Sequence, residues 1–151
     1  MKILVFADSH RNTNRMLGAI IDHSPDLVLH LGDHDRDCDE IRSMFPELYL
    51  RNVRGNCDFG SFGPDTDEFV FAGKRFFMTH GHKHRVKSGR YELLREASVR
   101  GADIVLYGHT HIPYYGVEDK MTVINPGSIG YEGYYGLLTI ENGKITYKSL
   151  S

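Results

Sequence analysis

The sequence predicts an α/β fold in which two β-sheets pack together and helices cover their outer faces. Short apolar runs alternate with helical patterns over the first two thirds of the chain, the signature of a layered α/β sheet. The last third switches to consecutive strands with hairpin signals. A length of 151 residues, 40% hydrophobic and 25% charged, fits one globular domain with a sizeable core.

The strand-like runs of the first part are residues 2–7, 27–31, 48–53, 75–79 and 103–107, each short and apolar enough for an interior sheet. Between them, residues 12–23 place Met16, Leu17, Ile20 and Ile21 on one helix face, with Asn12 or Thr13 positioned to cap it. Residues 37–45 and 91–100 read as further helices, the latter stopped by Gly101. Residues 114–117, 121–125, 135–141 and 144–150 are late strands, with turns at "EDK" and "NG". Cys38 falls in a helical stretch and is most simply a packing residue.

Composition narrows the function classes. Eighteen basic against twenty acidic residues give a net charge of -2, so bulk charge lends no support to an extended nucleic acid partner. The apolar "KILVFA" is too short for a signal peptide or a membrane span, and two cysteines outside any CxxC pair suit a reducing compartment. A cytoplasmic protein without a membrane partner is expected.

Nine histidines are many for this length, and their placement is informative. In "YGHTH", His109 and His111 lie two residues apart just past an apolar strand, where an extended chain would turn both rings to one side. Such a pair could grip a metal or an anion, or merely form a solvated turn. The other early runs decide between these readings, because they stop at "ADSH", "LGDHD", "GNCD" and "THGH". Ligands of open α/β sheets bind at the carboxyl ends of strands, so five such loops should gather on one rim. Taken singly, each has a plain structural role, as a helix cap, an Asx-turn or a solvated loop. Taken together they are more simply one site.

Asp8, His10, Asp33, Asn56, His80, His109 and His111 then form a set of oxygen and imidazole donors without thiolate. That mixture suits Mn(II), Fe(II), Co(II), Ni(II) or Zn(II) and argues against a closed structural zinc site. Seven donors exceed one tetrahedral shell. Two ions ~3.5–4 Å apart, bridged by a carboxylate, would use them all and leave positions open for water and substrate.

The ordered series "DSH", "GD", "GNCD", "HGH" and "GHTH" resembles the calcineurin-like metallophosphoesterase superfamily, over roughly residues 3–130. The short length and "NPGS" at 125–128 most resemble its small YfcE-type phosphodiesterase branch, to which the retromer-subunit relatives are also similar. The resemblance implies a four-layer αββα sandwich of two mixed sheets, the metallo-dependent phosphatase fold. It also implies that Asp8, His10 and His111 bind one ion and Asn56, His80 and His109 the other, with Asp33 bridging. Two divalent cations, Mn(II) first among them, would then activate a bridging hydroxide for attack on a small phosphodiester or nucleotide-like substrate. The histidine that usually follows the asparagine in this superfamily is Cys57 here, a weak proton donor, which leaves His82 and Asp58 as substitutes in catalysis or as groups that orient a ligand.

Weaker signals complete the reading. The basic stretch "HKHRVKSGR" is a rim for anionic substrates or a solvated face. "YEGYYG" with Tyr114 and Tyr115 is a nucleobase platform, a homodimer or higher-oligomer contact, or half-buried packing. A phosphodiesterase stands first, against a non-catalytic scaffold on the same fold, which could lose ligands without penalty, and a nuclease, which would want a basic surface.

Overall fold

A computed structural model describes residues 1–151. Ten strands form two five-stranded sheets. The first has the order β10-β9-β1-β2-β3, built from β1 (Lys2–Phe6), β2 (Leu27–His30), β3 (Leu50–Asn52), β9 (Tyr135–Glu141) and β10 (Lys144–Leu150). The second has the order β4-β5-β6-β8-β7, built from β4 (Thr66–Phe71), β5 (Lys74–Thr79), β6 (Ile104–Leu106), β7 (Tyr114–Glu118) and β8 (Met121–Asn125). Within them β1, β2 and β3 run parallel, as do β5, β6 and β8, and the hairpin partners run antiparallel.

The period-2 alternation of a strand explains the layering. Ile3 and Val5 of β1 and Leu27 and Leu29 of β2 face Phe76, Met78, Ile104, Leu106 and Ile124 of the other sheet, forming a core between the sheets. The alternate residues Leu4, Phe6 and Val28 face outward onto Met16, Leu17 and Ile20 of α1 (Thr13–His23) and Ile41 of α2 (Asp37–Met44). On the opposite outer face, Phe77, Val105 and Val123 pack on Leu93, Leu94 and Ala97 of α3 (Tyr91–Val99). The result is the expected four-layer αββα sandwich.

Three details depart from the sequence reading. β4 was not expected: its Asp67 and Glu68 break the apolar pattern, yet it closes a hairpin onto β5 through Ala72 and Gly73, whose φ values are 51° and 77°. Those left-handed angles match the right-handed twist of the flanking strands. β3 is a three-residue, half-buried edge strand rather than an interior run, so one of its sides has no strand to cover it. The α1 cap is Asn12, but its side chain makes no cap bond and donates instead to the Gly130 carbonyl, 3.5 Å away, tying the helix start to a site loop.

Cys38 is fully buried, in keeping with a packing role. No helix is long and apolar enough to cross a membrane.

Because Leu29 is wholly enclosed between the sheets, Leu29→Ala should cost about 2–5 kcal/mol in urea denaturation. Ile21→Ala, on the exposed side of α1, should stay within about 0.5 kcal/mol.

Candidate metal centre

The five loops meet where the carboxyl ends of β1, β2 and β3 approach those of β5 and β6. Two contacts stitch the sheets together there: His80 Nδ1 lies 2.8 Å from the Leu31 carbonyl, and the His109 amide donates to Asp8 Oδ2 at 3.2 Å. Close approach needs missing side chains. A Cβ on Gly108 would come within 2.9 Å of the Ala7 Cβ, and one on Gly55 would collide with the Asp33 carboxylate.

The backbone is bent hard to achieve this. Asp8, His10, Arg11, Asp33, His34, His109 and His111 all have φ between 46° and 70°, the left-handed region that side chains normally avoid. These loops hold about half of the non-glycine residues in that conformation, and such strain collects where function over-determines geometry.

Hydrogen-bond chemistry then points to a cation. The Leu31 carbonyl can only accept, so the proton of His80 sits on Nδ1 and Nε2 carries a lone pair. That lone pair faces Asn56 Oδ1 at 3.0 Å, His109 Nδ1 at 3.2 Å and Asp33 Oδ2 at 3.5 Å. Atoms able to ligate a metal crowd one another here. Asp8 Oδ1 lies 3.3 Å from His111 Nε2 and 3.8 Å from His80 Nε2, and both it and His10 Nε2 are buried without a hydrogen-bond partner. Two groups of donors converge closely enough to share an ion: Asp8, His10 and His111, and Asp8, Asp33 and His80. The donor set therefore fits divalent metal.

Burial sets the protonation states. It pushes the Asp8 carboxyl up to about 8, aided by the nearby Asp33 charge. It pulls His80 down to about 4, so the short His80 contacts are not ion pairs at neutral pH, and it lowers His10, His109 and His82 as well. Burial also works to raise Asp33, but the His80 ring and the Cys57 amide and thiol outweigh it and hold this carboxyl below its ordinary value.

All seven sequence-predicted donors are present in one cluster. The two substitutes for the proton donor part company. His82 stacks near the cluster, its ring 5.4 Å from that of His80, with a buried Nδ1 that has no partner. Asp58 instead accepts backbone N–H bonds from Asp33, His34, Asp35 and Gly55, at 2.6–3.2 Å. A carboxylate held by four backbone donors organises a loop, and its oxygens are turned to those amides. The Cys57 thiol is pushed up by burial and by the Asp33 charge, and its amide donates to Asp33 Oδ1 at 2.9 Å.

Sequence reasoning missed a buried chain behind the ligands. The Gly32 amide donates to His30 Nδ1, so His30 Nε2–H donates to Ser9 Oγ at 2.8 Å, and Ser9 donates to Asp37 Oδ2 at 2.7 Å. Asp37 also accepts the Arg11 amide. This directed chain locks the Asp8–His10 loop to the Asp33 loop. Its members lie 21 and 28 positions apart and carry no local motif.

"NPGS" adds a second support: Asn125 Nδ2 donates to the Gly108 carbonyl and Ser128 Oγ to the Asp8 carbonyl. The basic stretch after His82 is mostly paired within the protein, through Lys83–Asp65, Arg85–Glu92 and Arg90–Glu118, as a solvated face would be. Tyr131 leaves the packing role expected of late tyrosines, lying 61% exposed with its ring 4.6 Å from His10 and 5.2 Å from His111.

Fold and site together define a class, the αββα metallophosphoesterases. A model of the calcineurin-like phosphoesterase superfamily domain matches residues 1–143, and the chain belongs to that family. It is 31% identical to the probable metallophosphoesterase YsnB of Bacillus subtilis, over 98% of this chain and 89% of that protein. It is 28% identical to the phosphodiesterase YfcE of Escherichia coli K12, over 89% of this chain and 76% of that protein. A crystal structure of a predicted phosphoesterase from Streptococcus pneumoniae TIGR4 superposes with a TM-score of 0.83 at 26% identity, covering 99% of this chain and 88% of that one.

The shifted carboxyl makes metal-free stability depend on pH. Below about 6.5 the unfolded chain protonates its counterpart of His80 while the folded ring stays neutral, which opposes the effect of Asp8. His10, His30, His82 and His109 are lowered in the same way, so below about pH 7 the histidines outweigh Asp8; above that, as the unfolded histidines lose their protons, the proton that folded Asp8 holds and the unfolded chain has lost makes stability fall as pH rises toward 8. In urea denaturation the stability difference between metal-free wild type and Asp8→Asn, in which the histidine contributions cancel, should change by about 1–2 kcal/mol from pH 6.5 to 8, wild type losing more as pH rises. A slope unchanged in Asp8→Asn would contradict the assignment.

Proposed function

We propose that this chain is a metal-dependent phosphodiesterase that works with two divalent cations, Mn(II) being the first choice for an oxygen and imidazole site. Asp8, His10 and His111 would hold one ion and Asn56, His80 and His109 the other, with Asp33 shared. The observation that carries this reading is the convergence of ligand atoms on one point: the His80 Nε2 lone pair faces Asn56 Oδ1 at 3.0 Å and His109 Nδ1 at 3.2 Å, beside Asp8 Oδ1 and His10 Nε2, which are buried without a hydrogen-bond partner. The phosphodiesterase named among the relatives supports the reaction class. The buried Cys38 thiol and the unpaired Cys57 suit a cytoplasmic setting.

Bound divalent metal would supply acidified water and positive charge against the phosphoryl oxygens. The protein's part is positional. Asp8 and Asp33 provide negative charge that keeps the cations in place, and the His30–Ser9–Asp37 chain holds both loops rigid. Hydrolysis forms a P–O bond from water and breaks the ester P–O bond, whose electron pair leaves on the alcohol oxygen together with a proton. His82 is the side chain placed to deliver that proton. Because burial lowers its pKa, most of it is neutral at pH 7, and substrates that depart without help are favoured.

Metal-stripped protein refilled with Mn(II) should hydrolyse bis(p-nitrophenyl) phosphate, and Asp33→Asn or His109→Ala should reduce kcat by about 100-fold or more. Failure with every divalent metal, while the ions still bind, would turn the reading to a scaffold. His82→Ala should slow a methyl p-nitrophenyl phosphate, cleaved toward nitrophenolate, less than a dialkyl ester with a poor leaving group. Equal losses on both would remove His82 as the donor.

A further inference from the structure

Beside the candidate centre lies a cavity of about 800 Å³ whose wall continues three of its loops. Arg11 follows His10, His34 follows Asp33, and Cys57 follows Asn56, so the cavity borders the donor cluster along three of its loops. The His34 ring stands 5.0 Å from that of His10 at the junction.

Charge within the cavity is unevenly satisfied. Asp58 is occupied by backbone amides, Asp35 accepts the Ser61 hydroxyl, and Asp39 pairs with Arg42. Arg42 also donates to Asn52 Oδ1 at 2.7 Å. Each acid of the wall has a partner, and three aspartates stand there with three arginines; of these, Arg11 and Arg36 have exposed side chains that make no ion pair or hydrogen bond. Two free guanidiniums on one wall are a ready fork for phosphate oxygens.

The same cavity carries Phe59, 87% exposed, and Phe62, wholly exposed, on the loop between β3 and β4. Aromatic rings held in water at the lip of a pocket with unpaired guanidiniums offer faces on which a planar base can stack. Neither ring contributes to any of the three core clusters.

Resting on the phosphodiesterase reading, we propose that the cavity is a subsite for the ester substituent and selects nucleoside phosphodiesters that carry a second phosphate. Arg11 and Arg36 grip the second phosphate, Phe59 and Phe62 stack the base, and the scissile phosphoryl group lies over the donor cluster. The pocket size is that of a small-molecule site.

Binding tests this without turnover. Thymidine 3′,5′-bisphosphate and thymidine 5′-monophosphate are titrated calorimetrically, at fixed ionic strength, into Mn(II)-loaded wild type, into Arg11→Gln/Arg36→Gln, and into Phe59→Ser/Phe62→Ser. All four positions are exposed, so the substitutions leave the core intact. The additional phosphate should tighten binding to wild type by about tenfold or more and to the arginine variant by less than about twofold. The phenylalanine variant should weaken both nucleotides while leaving inorganic pyrophosphate unaffected. An equal gain in wild type and arginine variant, or no gain in either, overturns the subsite.

In parallel, the p-nitrophenyl ester of thymidine 5′-phosphate is assayed with and without a 3′-phosphate. Turnover of both at the same kcat/KM keeps the hydrolase and removes the subsite. The predicted binding pattern with no turnover of either ester keeps the subsite and removes the hydrolase.

Discussion

Everything at the functional end of this molecule depends on one buried carboxyl. Asp8 has no exposed surface, sits where the two sheets meet, and has one oxygen bonded to the His109 amide while the other has no partner. An ionised carboxylate in such a place is unfavourable unless a positive charge answers it. Of the imidazoles around it, His10, His80 and His109 are held below their ordinary pKa by burial and offer lone pairs rather than charge, and Asp33 adds a second carboxylate. In the proposed centre a cation shared with Asp33 would resolve the imbalance, and in the metal-free protein the raised pKa lets a proton do so instead.

Holding that arrangement open costs conformational energy, and the fold supplies it from both sheets. The left-handed residues of three loops are fixed by bonds that reach across the structure: Asp58 to four amides, Ser9 to His30 and Asp37, Ser128 to the Asp8 carbonyl. None of these groups belongs to the donor set. Each binds backbone or fixes a rotamer, so the ligating atoms arrive within a narrow range of positions before any ion does. Rigid loops on paired parallel strands are well suited to a reaction whose main requirement is placement of charge.

Much of this was legible in the sequence, and the physical reason is locality. Each donor sits at the end of an apolar run, so hydrophobic patterning located the strands and strand ends located Asp8, Asp33, Asn56, His80 and His109. The hidden chain from His30 to Asp37 was not legible, because contacts between residues of different loops leave no periodic trace. β4 escaped because it is a half-buried edge strand whose Asp67 pairs with Arg51 rather than facing a core. Asp58 stood out in the sequence as a substitute in catalysis or as an orienting group, but its four amide partners come from folding of the Asp33 loop over it and left no trace there. The sequence left platform, contact and packing roles open for the late tyrosines, and what Tyr131 lies against is the pair His10 and His111, not the core.

The central claim is that the donor cluster holds two divalent ions with Asp33 between them. Anomalous diffraction at the manganese edge, from crystals grown with Mn(II), tests it most directly. Two peaks are predicted, one contacted by Asp8, His10 and His111 and the other by Asn56, His80 and His109, with Asp33 touching both. A single peak at full Mn(II) occupancy, or two peaks away from Asp33, would contradict the account.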